Sequence, residues 1–322
     1  MLKRRCLLIL AAALPLAAFG VPAWPVHPVH IVVPAPAGSS VDVVARLLAD
    51  KLKDRWGQPV VVDNRPGAGG MLGVDAAAKA PPDGHTIAVG FNGPIAFAPF
   101  MYKKMPYDPA KDLVPVVMTT LQANVLAVNA SLPVKTPADF VAFAKQKAGG
   151  LNYASVGQGS SSHLTMELLL SDAGVRGTHV PFNGSPPAGM SVASGETDAL
   201  IAAAPALLPL AKAGKVRLIA VTGRQRMASL KTLPTLVESG LPNVESLIWN
   251  GLFVAAGTPQ AVVQRINADV NAVLHDPSVA AAFDAQGLSP GGGSVDDFRK
   301  LVASDTKRWG AVIRKIGLQL EL

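Results

Sequence analysis

Cysteine is almost missing from this chain: Cys6 is the only one among 322 residues. Disulfide frameworks and cysteine-built zinc or redox sites are thereby excluded. No HExxH, no CxxC and no phosphate-loop lysine occurs, so the common metallohydrolase, thiol-redox and nucleotide signatures are absent too. Aromatics make up 5% and charged residues 16%. Past the first few residues, no basic run is longer than Lys103-Lys104. A nucleic-acid groove wants clustered bases interleaved with aromatics, and no nucleic-acid partner is expected. Long hydrophobic runs are also lacking, with one exception.

That exception is Leu7 to Ala18, apolar throughout and broken only by Pro15. It follows Lys3, Arg4 and Arg5 and is followed by small residues, with candidate cleavage after Gly20 or Ala23. Basic start, short apolar stretch and small-residue exit make a secretory signal over 1–23; a membrane anchor would need about 20 apolar residues. Cys6 precedes the apolar run, so it cannot be the acylated cysteine of a lipoprotein, and the mature chain has none. A cysteine-free secreted chain suits the bacterial periplasm. Loss of the leader's three positive charges lowers the net charge from +7 to +4.

What remains alternates short β-branched runs with helical periodicity. Strands are expected at Val29–Val33, Val60–Val62, Ile87–Val89, Asn124–Val128, Leu151–Ser155, Thr178–Val180, Ala199–Ala202 and Val216–Val221. Helices are expected from Ser39 to Gly57, Pro137 to Lys147, Ser162 to Ala173, Pro186 to Gly195 and from Ala202 to Gly214. Met227 to Asn250 lacks a clear period, and Trp249–Ala255 reads as a strand crossing back. Two amphipathic helices, Gln260–Leu274 and Val295–Ile316, close the chain. Strands separated by helices imply βαβ units on mostly parallel sheets. The organisation expected is two α/β lobes, the first from 24–124 and 250–322 and the second from 125–249.

Three loops share one design, in which a strand ends, small residues turn and a helix begins. They are Pro34 to Ser40, with Ala35, Ala37, Gly38 and Ser39; Ser155 to His163, with Gly157, Gly159, Ser160, Ser161 and Ser162; and Phe182-Asn183-Gly184-Ser185. The first backbone N–H groups of a helix lack internal partners and carry the positive end of its dipole. Such a loop can hold a carboxylate without lysine or arginine. Taken singly each loop is also an ordinary cap, Ser39 with Asp42 reading as a capping box. Gly67 to Gly73 is glycine-rich but has Leu72 where the dinucleotide fingerprint needs its third glycine. His163, beside three serines, reads as a cap or loop-packing residue, since no G-x-S-x-G elbow accompanies it. His27 and His30 lie too near a chain end to indicate a metal site.

Together these residues resemble the Bug-type extracytoplasmic solute receptors of tripartite tricarboxylate transporters. The resemblance runs over nearly the whole mature chain. It is carried by Ile31-Val32-Val33-Pro34 with Gly38-Ser39 and Asp42, by Val62-Asp63-Asn64-Arg65-Pro66-Gly67-Ala68-Gly69-Gly70, and by Pro82-Asp83-Gly84-His85-Thr86. Leu151 to Ser160 with His163-Leu164, His179 to Gly184, Glu238 to Pro242 and Trp249-Asn250-Gly251-Leu252 continue it. It implies a two-lobed Venus-flytrap fold of the type II-like periplasmic-binding kind, no cofactor, no metal and no catalysis. It implies a monomer whose partners are a small carboxylate, aromatic or dicarboxylic, and two membrane subunits of a transporter. The ligand-binding set implied is the three loops above with Asn92 and Ala203, closing about crossing strands near Asn124–Val128 and Trp249–Ala255. Ala35, Ala37, Phe182 and Ala203 depart from the family's usual aromatic, proline, tyrosine and polar residue. A roomier, less polar pocket for an acid without an amino group is therefore expected. Two rival readings are a secreted serine hydrolase using Ser160 or Ser162 with His163, and a receptor that signals instead of serving transport.

Overall fold

The computed structural model describes residues 24–321; the expected leader over 1–23 lies outside them. In the first half of the chain, β1 (Val29–Val33), α1 (Ser40–Trp56), β2 (Val60–Asn64), α2 (Met71–Ala78) and β3 (Thr86–Phe91) form successive βα units. A π-type turn over Gly93–Phe97, the single-turn helices α3 (Ala98–Met101) and α4 (Pro109–Asp112), and the long β4 (Leu113–Ala123) follow. The middle of the chain comprises β5 (Val125–Asn129), α5 (Pro137–Gln146), β6 (Leu151–Ser155), α6 (Ser161–Ala173), β7 (Gly177–Pro181), α7 (Ser185–Ser194), β8 (Ala199–Ala202), α8 (Ala204–Lys212) and β9 (Val216–Val221). The chain then returns through β10 (Leu247–Ala255), α9 (Gln260–Leu274), α10 (Pro277–Ala285) and α11 (Val295–Ile316).

Two five-stranded sheets result, ordered β2-β1-β3-β10-β4 and β7-β6-β8-β5-β9. They share one plan. Three strands are parallel, a fourth (β10 or β5) runs against both its neighbours, and the fifth restores the first direction. Each sheet is thus mixed in its pairing, with four of its five strands pointing one way. The two-lobed α/β fold expected from the alternation is the one observed.

Sequence pattern explains most elements. In α1 the positions Val41, Val44, Ala45, Leu48 and Leu52 are all buried, one face at helical spacing, and Gly57 ends the helix at φ 62°. They join β1, Ile87, Val89, Leu252 and α9 in one core cluster. Across the same sheet, Phe97, Trp249, Phe253, Phe298 and Trp309 form a second cluster under α11. The second lobe is likewise packed on both sheet faces. Strand β4 was not evident in the sequence because Pro115 interrupts it. As the edge strand of its sheet, β4 tolerates a residue that cannot donate.

The chain leaves the first sheet after Ala123 and re-enters it at Leu247. Thr222 ties the two crossings together. Its hydroxyl accepts from Asn124 N–H at 2.9 Å and donates to the Ser246 carbonyl at 2.6 Å. Its own N–H donates to the Asn124 carbonyl and its carbonyl accepts from Ser246 N–H, both at 2.9 Å. The second crossing therefore passes through Ser246, just ahead of Trp249–Ala255, which lies wholly within β10.

Candidate functional site

Between the lobes is a cavity of ≈ 60 Å³. No Asp, Glu, Lys, Arg or His is among the residues that line it. Instead the starts of five helices open on it. The first lobe presents Ser39, Ser40 and Val41 from α1 and Gly69 and Gly70 from α2; the second presents Ser161 and Ser162 from α6, Gly184 and Ser185 from α7, and Ala203 from α8. Each N-terminus carries unpaired N–H groups and about half a positive charge. Pro34, Ala35, Pro36, Phe91, Val156 and Ile248 supply apolar walls. An uncharged, donor-rich chamber with apolar sides suits an anion with a hydrocarbon body.

The local sequence fixes each loop. Ser39 caps α1, its hydroxyl accepting from Asp42 N–H at 3.4 Å. Asp42 is buried and accepts from Gly38 N–H (2.9 Å), Arg46 Nε (3.0 Å) and Asn64 Nδ2 (2.9 Å). Burial works against its charge, but the Arg46 guanidinium, Gly38 and Asn64 together hold the carboxyl below the ordinary carboxylate range. Asn64 also donates to the Ala35 carbonyl at 2.9 Å, pinning the Pro34–Ser40 loop to the end of β2. The capping box expected of Ser39 and Asp42 is thus half realised, because Asp42 takes the N–H of Gly38 rather than that of Ser39.

The Ser155–Ser162 loop is held from below by two imidazoles. His163 Nδ1 accepts from Gly159 N–H at 3.1 Å, and His179 Nε2 lies 2.6 Å from Ser155 Oγ. The two rings stack at 3.8 Å and 9°, with Tyr153 stacked on His179 at 5.2 Å. Burial, helped by the neighbouring His179, pushes His163 down to about 3; burial pushes His179 down to about 4. Both rings are neutral at physiological pH. Ser160 caps α6 through His163 N–H and donates to the Gly157 carbonyl at 2.6 Å, while Ser162 Oγ donates to the Ile201 carbonyl. Among the described residues neither hydroxyl bonds to the His163 ring, so the pairing of Ser160 or Ser162 with His163 is not formed.

The lobes meet closely. A Cβ on Gly184 would lie 2.4 Å from Pro36 Cδ, one on Gly157 would lie 3.3 Å from Gly69 Cα, and one on Gly159 would lie 2.5 Å from Met101 Cε. Glycines in the second lobe thus allow its loops to touch the first lobe.

Of the residues proposed from sequence, Ala35, Ser39, Ser161, Ser162, Asn183, Gly184 and Ala203 line the cavity together. Ala37 and Gly38 are exposed and do not line it. Ser155, Gly157, Gly159, Ser160 and His163 do not line it; their polar atoms are spent holding the loop in shape. Phe182 packs against the second-lobe core. Asn92 faces away: its amide donates to Asp305 at 2.7 Å and accepts from Trp249 N–H at 3.3 Å. Sequence reasoning missed Phe91, the Gly67–Gly70 turn, Asn124 and Asn250. The turn carries a signal, small residues ahead of a helix, although it lacks the third glycine of the dinucleotide fingerprint. Asn124, between β4 and β5, and Asn250, within β10, are uncharged amides flanked by apolar residues, which is a weak signal without the fold.

Two α/β lobes joined by paired crossings around an uncharged chamber ringed by helix N-termini have the architecture of a two-lobed solute-binding protein. A profile of the TctC family, the tripartite tricarboxylate transporter family receptor, matches residues 44–318, and the chain belongs to that family. It is 38% identical over 292 residues to the UPF0065 protein in the tcbD-tcbE intergenic region of Pseudomonas sp. strain P51, covering 90% of this chain and 87% of that one. It is 34% identical over 299 residues to Protein BugT of Bordetella pertussis, covering 92% of each. Among solved structures, R. palustris Rpa4515 with adipate superposes with a TM-score of 0.90 at 37% identity, over 93% of this chain and all of that one. MatC (Rpa3494) from Rhodopseudomonas palustris with bound malate gives 0.85 at 32%, over 90% and 100%.

Proposed function

We propose that this protein is a periplasmic receptor that captures a small carboxylate by closing two lobes, and hands it to the membrane subunits of a tripartite tricarboxylate transporter. The reading rests on one observation: helix N-termini from both lobes converge on a single cavity that no charged side chain lines. A carboxylate there takes hydrogen bonds from α1 on one side and α6 and α7 on the other. It therefore binds the closed form better than the open one, and that difference drives closure. The walls then select the rest of the molecule. Relatives of the same fold carry adipate and malate, acids of the expected class. The receptor acts as a monomer, without cofactor, metal or turnover, and export depends on the leader over 1–23.

The experiment is a thermal-shift screen of the mature protein against mono-, di- and tricarboxylates, aromatic acids and acidic amino acids. A ligand bound only by the folded state raises the melting temperature by mass action. Stabilisation by at least one carboxylate, confirmed as saturable binding by calorimetry, is expected. Stabilisation by cations or neutral sugars alone, or hydrolysis of generic esters that Ser160→Ala abolishes, would remove the reading.

A further inference from the structure

The cavity floor is made by two asparagines whose amides are left over by the protein. Asn124 lies at the first crossing with no exposed surface, and its backbone is fully engaged by Thr222. Neither its Oδ1 nor its Nδ2 has a partner among the described residues. Asn250, on β10 and equally buried, donates Nδ2 to Thr120 Oγ1 at 2.8 Å and leaves Oδ1 unpaired. Both residues line the cavity. Buried polar atoms are rarely left without a partner, because desolvation costs each one about 1–3 kcal/mol. These three atoms therefore specify what the guest must bring.

Two of the three are carbonyl oxygens, which need a donor. A carboxylate offers only acceptors and leaves both unsatisfied. An ammonium donates, but it would sit where five helix N-termini converge, with no Asp or Glu on the lining to offset its charge. A hydroxyl donates to one Asn oxygen, accepts from Asn124 Nδ2 and carries no charge, so it pairs two of the three atoms where a carboxylate pairs one. We infer that the Asn124–Asn250 floor is a hydroxyl-recognition subsite, and that the preferred ligand is a hydroxycarboxylate whose acid group lies at the helix N-termini while its hydroxyl reaches the floor. This rests on the carboxylate reading above and narrows it.

The test compares pairs that differ by one hydroxyl: malate with succinate, 3-hydroxybutyrate with butyrate, and mandelate with phenylacetate, both enantiomers of each hydroxy acid included. Calorimetry is run on the wild type, Asn124→Ala and Asn250→Ala, two variants so that one misfolded protein does not end the test. In at least one pair the hydroxy acid should bind the wild type about 10- to 100-fold more tightly. That preference should shrink to about twofold in either variant, a loss of discrimination between pair members that a merely structural role for the asparagines would not produce. Equal binding within every pair, or a preference that survives both substitutions, overturns the inference and leaves the carboxylate receptor standing. Failure of every member of every pair, and of adipate, to bind removes both.

Discussion

Gly184 is where one added methyl group should separate folding from function. It precedes α7 in the second lobe at φ 113°, and its Cβ would come within 2.4 Å of Pro36 Cδ and 2.6 Å of Pro36 Cγ in the first lobe. Ordinary contact begins near 3.4 Å, so about 1 Å of overlap must be relieved. The proline ring is tied to its backbone and cannot swing aside. Overpacking of this kind costs about 1–3 kcal/mol, and under the proposed closure it falls on the closed form alone, because opening would part the two residues. Since about 1.4 kcal/mol is tenfold in an equilibrium, Gly184→Ala should weaken carboxylate binding about 5- to 150-fold. The backbone strain of alanine at positive φ is present in open and closed forms alike; it lowers the melting temperature of the free protein and cancels from closure. Isothermal titration of the tightest carboxylate against Gly184→Ala, Pro36→Ala and the double variant makes a closed cycle. Pro36→Ala should restore most of the lost affinity without restoring the melting temperature. An unchanged Kd in Gly184→Ala, or no rescue in the double variant, would refute closure through this contact.

Acid should destabilise the protein through His163 and His179. Burial holds their folded-state pKa values at about 3 and about 4 against an unfolded value of 6.5, so between pH 6.5 and about 4 the unfolded chain takes up protons that the folded chain refuses. Stability is then highest above pH 6.5 and falls as pH drops through that window; urea midpoints that stay level from pH 7 to 4 would contradict it, and His179→Gln should flatten the slope. At the crossings, Thr222→Val keeps the shape but removes the acceptor for Asn124 N–H and the donor to Ser246. The loss should be about 1–3 kcal/mol, read from urea denaturation; a change under about 0.5 kcal/mol, the size of a neutral surface substitution, would mean that this clasp does not bear on stability.

Much of the fold is legible from residue order. The strand–helix alternation, the buried face of α1, the two closing helices and the return strand all follow from periodicity, because an amphipathic element has one way to hide its apolar side. The long edge strand β4 is the main omission, since a proline inside an apolar run is harmless only at a sheet edge, and edges are not visible in sequence. The site divides along a similar line. Small-residue turns before helices point to Ser39, Ser161 and Gly184, which line the cavity, whereas Ser155, Ser160 and His163 belong to the same motif yet point inward to brace it. Both kinds look alike in one dimension, because a turn uses some of its polar atoms on itself and offers the rest.

The amino-acid sequence by itself determined that helices would begin just after strands, on turns too small to block an approaching anion, and that no charged partner would be needed there. Only the tertiary structure decided which turns meet. Two lobes built from interleaved stretches of chain face each other across Asn124 and Ser246, and their separation sets which N–H groups share one guest and which amides lie beneath it. That selection depends on distances between residues more than a hundred positions apart, and no local pattern encodes them.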